Sequence, residues 1–318
     1  MRESRRKWLR MAGLTGIGIA GYGLTFSQSR ENRPISKKSN IPKTNLKERQ
    51  IPSSGENLPV VGLGTWITFD VGSAAKDRDP LREVLGQMYQ KGGKVIDSSP
   101  MYGKSESVVG ELSQEMEYPD HFFYATKVWT SGREAGIRQM RESLQKMNRK
   151  RMDLMQVHNL VDYKTHLKTL EAWKKEGHIR YIGVTHYTAS SHPQLEQIVT
   201  ANLVDFIQVN YSMVDRNAEK RLLPAAKDHG VAVIINRPYS QGSLFGKVKN
   251  KQLPEWCEEF GIQSWGQFFL KYLLGNEAVT CVIPGTSNPR HLVDNMGAGV
   301  GKMPDEVTRK KMLKIIEA

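Results

Sequence analysis

Lys94-Val95-Ile96-Asp97-Ser98-Ser99-Pro100-Met101-Tyr102-Gly103-Lys104-Ser105-Glu106 is the stretch on which the reading of this chain turns. It predicts a short buried strand, Val95 to Asp97, then a loop presenting Asp97 and Tyr102, then a helix from about Ser105. A carboxylate and a phenol at a strand's C-terminal end suit chemistry. Taken alone they suit better a turn in which Asp97 bonds nearby amides and Tyr102 packs. The surrounding chain has to decide between the two.

Outward from this stretch the chain alternates. Strand-like runs at 60–63, 95–96, 122–127, 153–158, 181–185, 206–210, 231–236 and 279–283 alternate with helical patterns near 80–91, 105–116, 134–148, 165–176, 192–200, 218–229, 264–275 and 289–298. Eight repeats of strand then helix predict an α/β fold, a (β/α)8 TIM barrel, whose short apolar runs are buried parallel strands. A doubly wound sheet also alternates in this way. Against it, Gly62-Leu63-Gly64-Thr65-Trp66 lacks the third glycine of a dinucleotide fingerprint and opens no helix. A short hairpin over 50–61, an extra piece at 254–261 and a terminal helix over 304–316 complete the expected barrel domain, residues 46–318.

The net charge of +13 would suggest nucleic acid if it were spread over the domain. It is not: residues 1–50 hold 12 Lys/Arg against 3 Asp/Glu, so +9 of the net +13 sits there. No basic groove interleaved with aromatics is left, and no nucleic-acid partner is expected. The same end reads Ser4-Arg5-Arg6-Lys7-Trp8-Leu9-Arg10, then a charge-free, glycine-rich run from Met11 to Ser29. Residues 1–29 resemble a twin-arginine (Tat) signal, which implies recognition by the Tat export machinery and a periplasmic or exported protein. Five glycines make the run a poor spanning helix. No stable membrane partner is expected after processing, and an uncleaved signal would act as a tether. Residues 30–45, with Pro34, Pro42 and several Lys and Ser, read as a flexible linker. Cys257 and Cys281 are the two cysteines, too few for a disulfide framework, and Cys281 lies in an apolar run as a packing residue.

In a barrel, functional side chains come from the C-terminal ends of several strands and recur at the length of one βα unit. Asp97, Lys127 and His158 do so, 30 and 31 residues apart, each ending its strand. With Tyr102 they form four ionisable side chains able to converge on one rim. A phenol with an ordinary pKa near 10 is a slow acid at neutral pH, and the Lys127 ammonium is expected to favour its ionised form. Asp97 would hold Lys127 charged, and His158 would hydrogen-bond a substrate carbonyl oxygen. A phenol that protonates such an oxygen needs a hydride donor for the carbon, which no side chain supplies, so a nicotinamide cofactor is implied.

These motifs resemble those of the aldo-keto reductase family. Asp97 through Tyr102-Gly103-Lys104-Ser105-Glu106, Ala125-Thr126-Lys127 and Val157-His158 follow the family's order. The resemblance implies a barrel that holds NADP(H), with Tyr102 as general acid assisted by Lys127, His158 and Asp97, acting on a small carbonyl substrate. It implies that Thr65 and Trp66 meet the nicotinamide end. Thr185, His186 and Gln208 would contact its amide, with His186 standing where the family usually has Asn. Asn236 or Arg237 falls at the usual stacking aromatic, so that Arg237 is expected to stack by its guanidinium plane or meet the diphosphate, and Tyr239 to supply a ring if the loop shifts. Pro284, Gly285, Thr286 and Ser287, with Arg290, His291 and Asn295, would form the adenosine-phosphate loop and its helix. Gly285 and His291 stand where some members carry the Lys and Arg that grip a 2′-phosphate, so NAD(H) stays open beside NADP(H). Trp66, Phe69, Trp129 and Asn159 are candidate pocket walls. The alternative function is a nucleotide-binding sensor on the same barrel without significant turnover.

Overall fold

The computed structural model describes residues 45–317. The export-signal reading and all but the last residue of the linker reading lie outside them. An antiparallel pair, β1 (Glu48–Gln50) and β2 (Asn57–Pro59), precedes eight parallel strands. These are β3 (Leu63–Gly64), β4 (Val95–Asp97), β5 (Phe123–Val128), β6 (Met152–His158), β7 (Ile179–Thr185), β8 (Phe206–Asn210), β9 (Ala232–Asn236) and β10 (Cys281–Val282). They are hydrogen-bonded in chain order from β3 to β10. Parallel bridges from Val61 to Val282 and from Gly64 to Gly285 join the two ends. The fold is the (β/α)8 barrel that the alternation predicts.

The helices are α1 (Ala75–Gln90), α2 (Ser105–Gln114), α3 (Arg133–Lys146), α4 (Tyr163–Lys175), α5 (His192–Thr200), α6 (Leu222–Asp228), α7 (Ser243–Lys247), α8 (Trp265–Leu274), α9 (Pro289–Gly297) and α10 (Glu306–Glu317). Two boundaries differ from expectation, each at a proline. α1 begins five residues before Pro80 and carries that proline inside it. The helix expected over 218–229 divides into a 3-10 turn, Asn217–Glu219, and α6. Pro224 lies in the first turn of α6, where its missing N–H leaves no helical bond unmade. The segment 254–261 is a 3-10 helix, Glu255–Phe260, and α7 is an element that the sequence pattern did not indicate.

Side chains on a strand alternate faces, and this sorts the core into two. Val95, Phe123, Ala125, Leu154, Tyr181, Phe206, Ala232, Ile234, Cys281 and Ile283 form one cluster, plugged by Ile51 and Leu58 of the hairpin. Counting on by two from these residues reaches Asp97, Lys127, Gln156, Thr185, Gln208 and Asn236. The inward face of the barrel is therefore apolar toward the hairpin end and polar toward the other. The larger cluster fills the space between strands and helices. Cys281 is buried inside the barrel and Cys257 is buried as well, both as free thiols.

The seam that closes the barrel leaves no room for a side chain. A Cβ at Gly62 would lie 2.7 Å from the Val95 carbonyl oxygen and 3.2 Å from Ile283 Cγ2. One at Gly64 would lie 2.8 Å from the Ile283 carbonyl oxygen. Backbone atoms cannot swing aside as a side chain does, so Gly62→Ala should lower the unfolding free energy by about 1–3 kcal/mol. Urea denaturation of the full chain measures it, and an unshifted midpoint would mean the seam opens freely.

Candidate active site

The loop after β4 is held at both ends. Ser98 N donates to Ala125 O over 2.9 Å, Tyr102 N to Ser99 O over 3.0 Å, and Lys104 N to Asp70 Oδ1 over 2.9 Å. Gly103 has φ +59, and a Cβ there would fall 2.4 Å from the Asp70 carboxylate. The turn that brings Tyr102 back over the barrel mouth therefore requires glycine. Ser105 then opens α2, its Oγ 3.3 Å from Thr65 O. Glu106 is buried behind the strands and accepts from Thr126 Oγ1 over 2.5 Å.

Beneath Tyr102 lies an ion pair sealed from solvent. Lys127 Nζ, fully buried, donates to Asp97 Oδ2 over 2.7 Å and to Ser98 O over 2.6 Å. Asp97 Oδ1 accepts from Gln156 Nε2 at 3.0 Å and Gln208 Nε2 at 2.8 Å. Gln208 Oε1 in turn accepts from Thr185 Oγ1 over 3.2 Å. Lys127 Nζ stands 5.0 Å from the Tyr102 ring centroid, and the His158 ring meets that of Tyr102 edge-on, 5.7 Å between centroids. His158 Nδ1 lies 2.9 Å from Ser99 Oγ. Tyr102, Asp97, Lys127 and His158 thus come together at one end of the barrel.

Burial by itself would lower the Lys127 pKa, but Asp97 and Tyr102 outweigh it, and the ammonium is held above its ordinary value. His158 goes the other way: burial first, then the Lys127 charge, depress it to about 2, so the ring is neutral. Tyr102 corrects an expectation. Its pKa is raised rather than lowered, because burial exceeds the pull of Lys127 and the nearby Asp97 charge adds to burial. A raised pKa favours the protonated phenol at neutral pH.

The ends of the strands enclose a cavity of ≈ 750 Å³, lined among others by Thr65, Trp66, Met101, Tyr102, His158 and Asn159. Of the positions that the family resemblance assigns to the nucleotide, Thr65, Trp66, Thr185, Gln208, Arg237, Pro284 and Gly285 border it, and Asn236 and Tyr239 do as well. Arg237, in the left-handed region at φ 51, lays its guanidinium over the Tyr187 ring, 4.2 Å from the centroid. Tyr187 also stacks on His186, whose Nδ1 accepts from Tyr187 N and Thr188 N. Thr286 is buried and accepts from Asn288 N over 3.0 Å, while Ser287, Arg290 and His291 are exposed at the start of α9. Asn288 caps that helix through Arg290 N. Asn295 is buried and accepts from the Tyr239 phenol over 2.5 Å. Phe69 is not a pocket wall: it is fully buried in the core between strands and helices. Trp129 is half-exposed, 6.3 Å from the His158 ring.

Sequence reasoning missed three residues here. Gln156 sits two positions before His158 on the same strand face, a lone amide in an apolar strand. Reading inward by two from His158 would have found it. Tyr187 and Ser99 carry no spacing signal, since loop geometry alone brings them to Arg237 and His158.

An eight-stranded parallel barrel with a buried Asp–Lys pair under a tyrosine at the C-terminal strand ends defines a class of barrel oxidoreductase, and sequence comparison agrees. The aldo/keto reductase family profile matches residues 60–311, and the chain belongs to that family. Aldo-keto reductase YhdN of Bacillus subtilis is 26% identical over 213 residues, 62% of this chain and 63% of YhdN. The holo form of an aldo-keto reductase from Bacillus halodurans superposes with TM-score 0.68 at 22% identity, covering 85% of this chain and 96% of that one. An aldo/keto reductase from Klebsiella pneumoniae in complex with NADP and acetate gives TM-score 0.65 at 21% identity, covering 85% and 95%.

Removing one partner of a buried ion pair leaves the other uncompensated, at a cost of about 3–5 kcal/mol. Asp97→Ala should destabilise the chain by that amount in urea titrations at neutral pH, and a change within about 0.5 kcal/mol would show that Lys127 readily sheds its proton or finds water.

Proposed function

We propose that the chain is an NADP(H)-dependent reductase that converts a small aldehyde or ketone to the alcohol, with Tyr102 as its general acid. The observation that carries this reading is the Tyr102 phenol set beside a buried, carboxylate-held Lys127 and the His158 ring. NADPH, when bound, supplies the hydride for the carbonyl carbon. Tyr102 gives its proton to the carbonyl oxygen, and Lys127, buried beside it, stabilises the phenolate as it forms. Asp97 keeps Lys127 charged and in place, and Gln156 and Gln208 keep Asp97 in place. His158 aligns the carbonyl oxygen by a hydrogen bond.

The residues present fit the cofactor. Tyr102, Thr185, Gln208, Arg237, Pro284 and Gly285 all border the one cavity, so a proton donor and a cation share it. Thr65, Trp66, Thr185 and Gln208 would hold the nicotinamide end, and Arg237 the diphosphate. The loop Pro284 to Ser287, with the first turn of α9 and Arg290 and His291, would hold the adenosine phosphates, with Asn295 toward the adenine. The complex of the Klebsiella relative with NADP supports NADP(H) as the nucleotide.

Arg5-Arg6 and the charge-free run after them support export through the Tat route. Because NADPH is made inside the cell and that route moves folded proteins, the nucleotide would be acquired before transport. Fractionation of cells carrying Arg5→Lys with Arg6→Lys should move the protein from periplasm to cytoplasm; undiminished periplasmic protein would rule the route out.

Tyr102→Phe should reduce turnover at least about 100-fold while NADPH still quenches protein fluorescence as in the wild type. Stopped-flow mixing of the NADPH-loaded chain with a panel of aldehydes, ketones and quinones reads the turnover. Absence of reoxidation with every carbonyl would favour the sensor reading, and full turnover by Tyr102→Phe would remove the phenol from the acid role.

A further inference from the structure

We propose that Ser99 is a positioning residue that fixes His158 in the tautomer bearing its proton on Nε2 and ties that ring to Tyr102. The argument is an accounting of one buried hydroxyl. Ser99 is fully buried, and its Oγ has two polar neighbours, Met101 N at 3.3 Å and His158 Nδ1 at 2.9 Å. A backbone N–H only donates, so toward Met101 the hydroxyl oxygen is the acceptor. The hydroxyl proton then has one acceptor within reach among the described residues, the Nδ1 lone pair. A buried hydroxyl proton left without a partner carries its full desolvation penalty, enough to decide between tautomers that differ little in water. Nδ1 therefore accepts, and the ring proton sits on Nε2.

The second half of the inference is geometric. Among the described residues the His158 ring makes no hydrogen bond besides that with Ser99, and it borders the cavity alongside Tyr102. Nε2 is thus the nitrogen left for a ligand, and in this tautomer it is a donor. The opposite tautomer would turn a lone pair toward a carbonyl oxygen and repel it. Ser99 also accepts the Tyr102 amide through its own carbonyl at 3.0 Å. One residue therefore holds the backbone of the phenol through its main chain and the imidazole through its side chain. Nothing in the spacing of Asp97, Lys127 and His158 points to it, because Ser99 touches His158 across 59 residues of sequence.

The consequence for turnover rests on the carbonyl-reductase reading; the tautomer does not. Long-range proton–nitrogen correlation spectra of the full chain with labelled histidine, the His158 signal assigned by its loss in His158→Gln, read the tautomer directly. The wild type should show the Nε2–H pattern alone, and Ser99→Thr should keep it. Ser99→Ala should show a mixture, with kcat lower by about 10-fold or more and NADPH affinity little changed. A wild-type Nδ1–H pattern, or a Ser99→Ala spectrum identical to wild type whatever its rate, would overturn the proposal. A tautomer that follows Ser99 in a chain that reduces no carbonyl would uphold the proposal and overturn the reductase reading instead.

Discussion

The site depends on an ammonium and a carboxylate held together in almost complete burial. Taking each ion out of water costs several kcal/mol, and mutual attraction offsets this only when the remaining lone pairs and protons find partners. Here they do: Ser98 O takes a second Lys127 proton, and Gln156 and Gln208 occupy the Asp97 oxygen that Lys127 leaves. Each of these partners comes from a different strand or loop. The pair is satisfied only when β4, β5, β6 and β8 lie side by side around a closed barrel, so completing the fold and completing the site are one event.

The tilt of the strands makes that convergence possible. In the ladder Asp97 lies opposite Ala125, not Lys127, and Lys127 lies opposite Gln156, not His158. Each successive site residue is two positions further along its strand than its neighbour's row. A barrel's strands lean and its rows stagger, so a step of two along the chain returns the side chain to the same inward face and advances it around the rim. The inward face changes from apolar to polar at that level, which leaves Asp97 and Lys127 at the base of the cavity and Tyr102 above them.

Two positions depart from the aldo-keto reductase pattern that the sequence resembles, and both lie on loops after barrel strands. A guanidinium stacked on Tyr187 takes the place where the family pattern carries a ring, and His186 takes the place of an amide while binding its own following backbone. The first change falls on a loop whose Arg237, Ser240 and Gln241 have positive φ. Such conformations are costly for side chains other than glycine and persist where the surroundings hold them. The Tyr239 phenol, tied to Asn295 and packed on Phe245 and Phe269, supplies part of that holding.

Read alone, the chain determined the architecture and the four residues over the barrel mouth. The periods of two and of one βα unit are local properties that survive any placement of loops, and they sufficed to put Asp97, Lys127 and His158 on one rim. Helix starts near Pro80 and Pro224 were misread because proline forbids a bond without saying on which side the helix lies. What only the tertiary structure decided is electrostatic and angular. Whether Tyr102 is made more or less acidic depends on how burial weighs against one ammonium at a particular distance. Whether Gln156 faces Asp97, Tyr187 meets Arg237, or Ser99 meets His158 depends on contacts between residues distant in sequence, which composition and spacing do not encode.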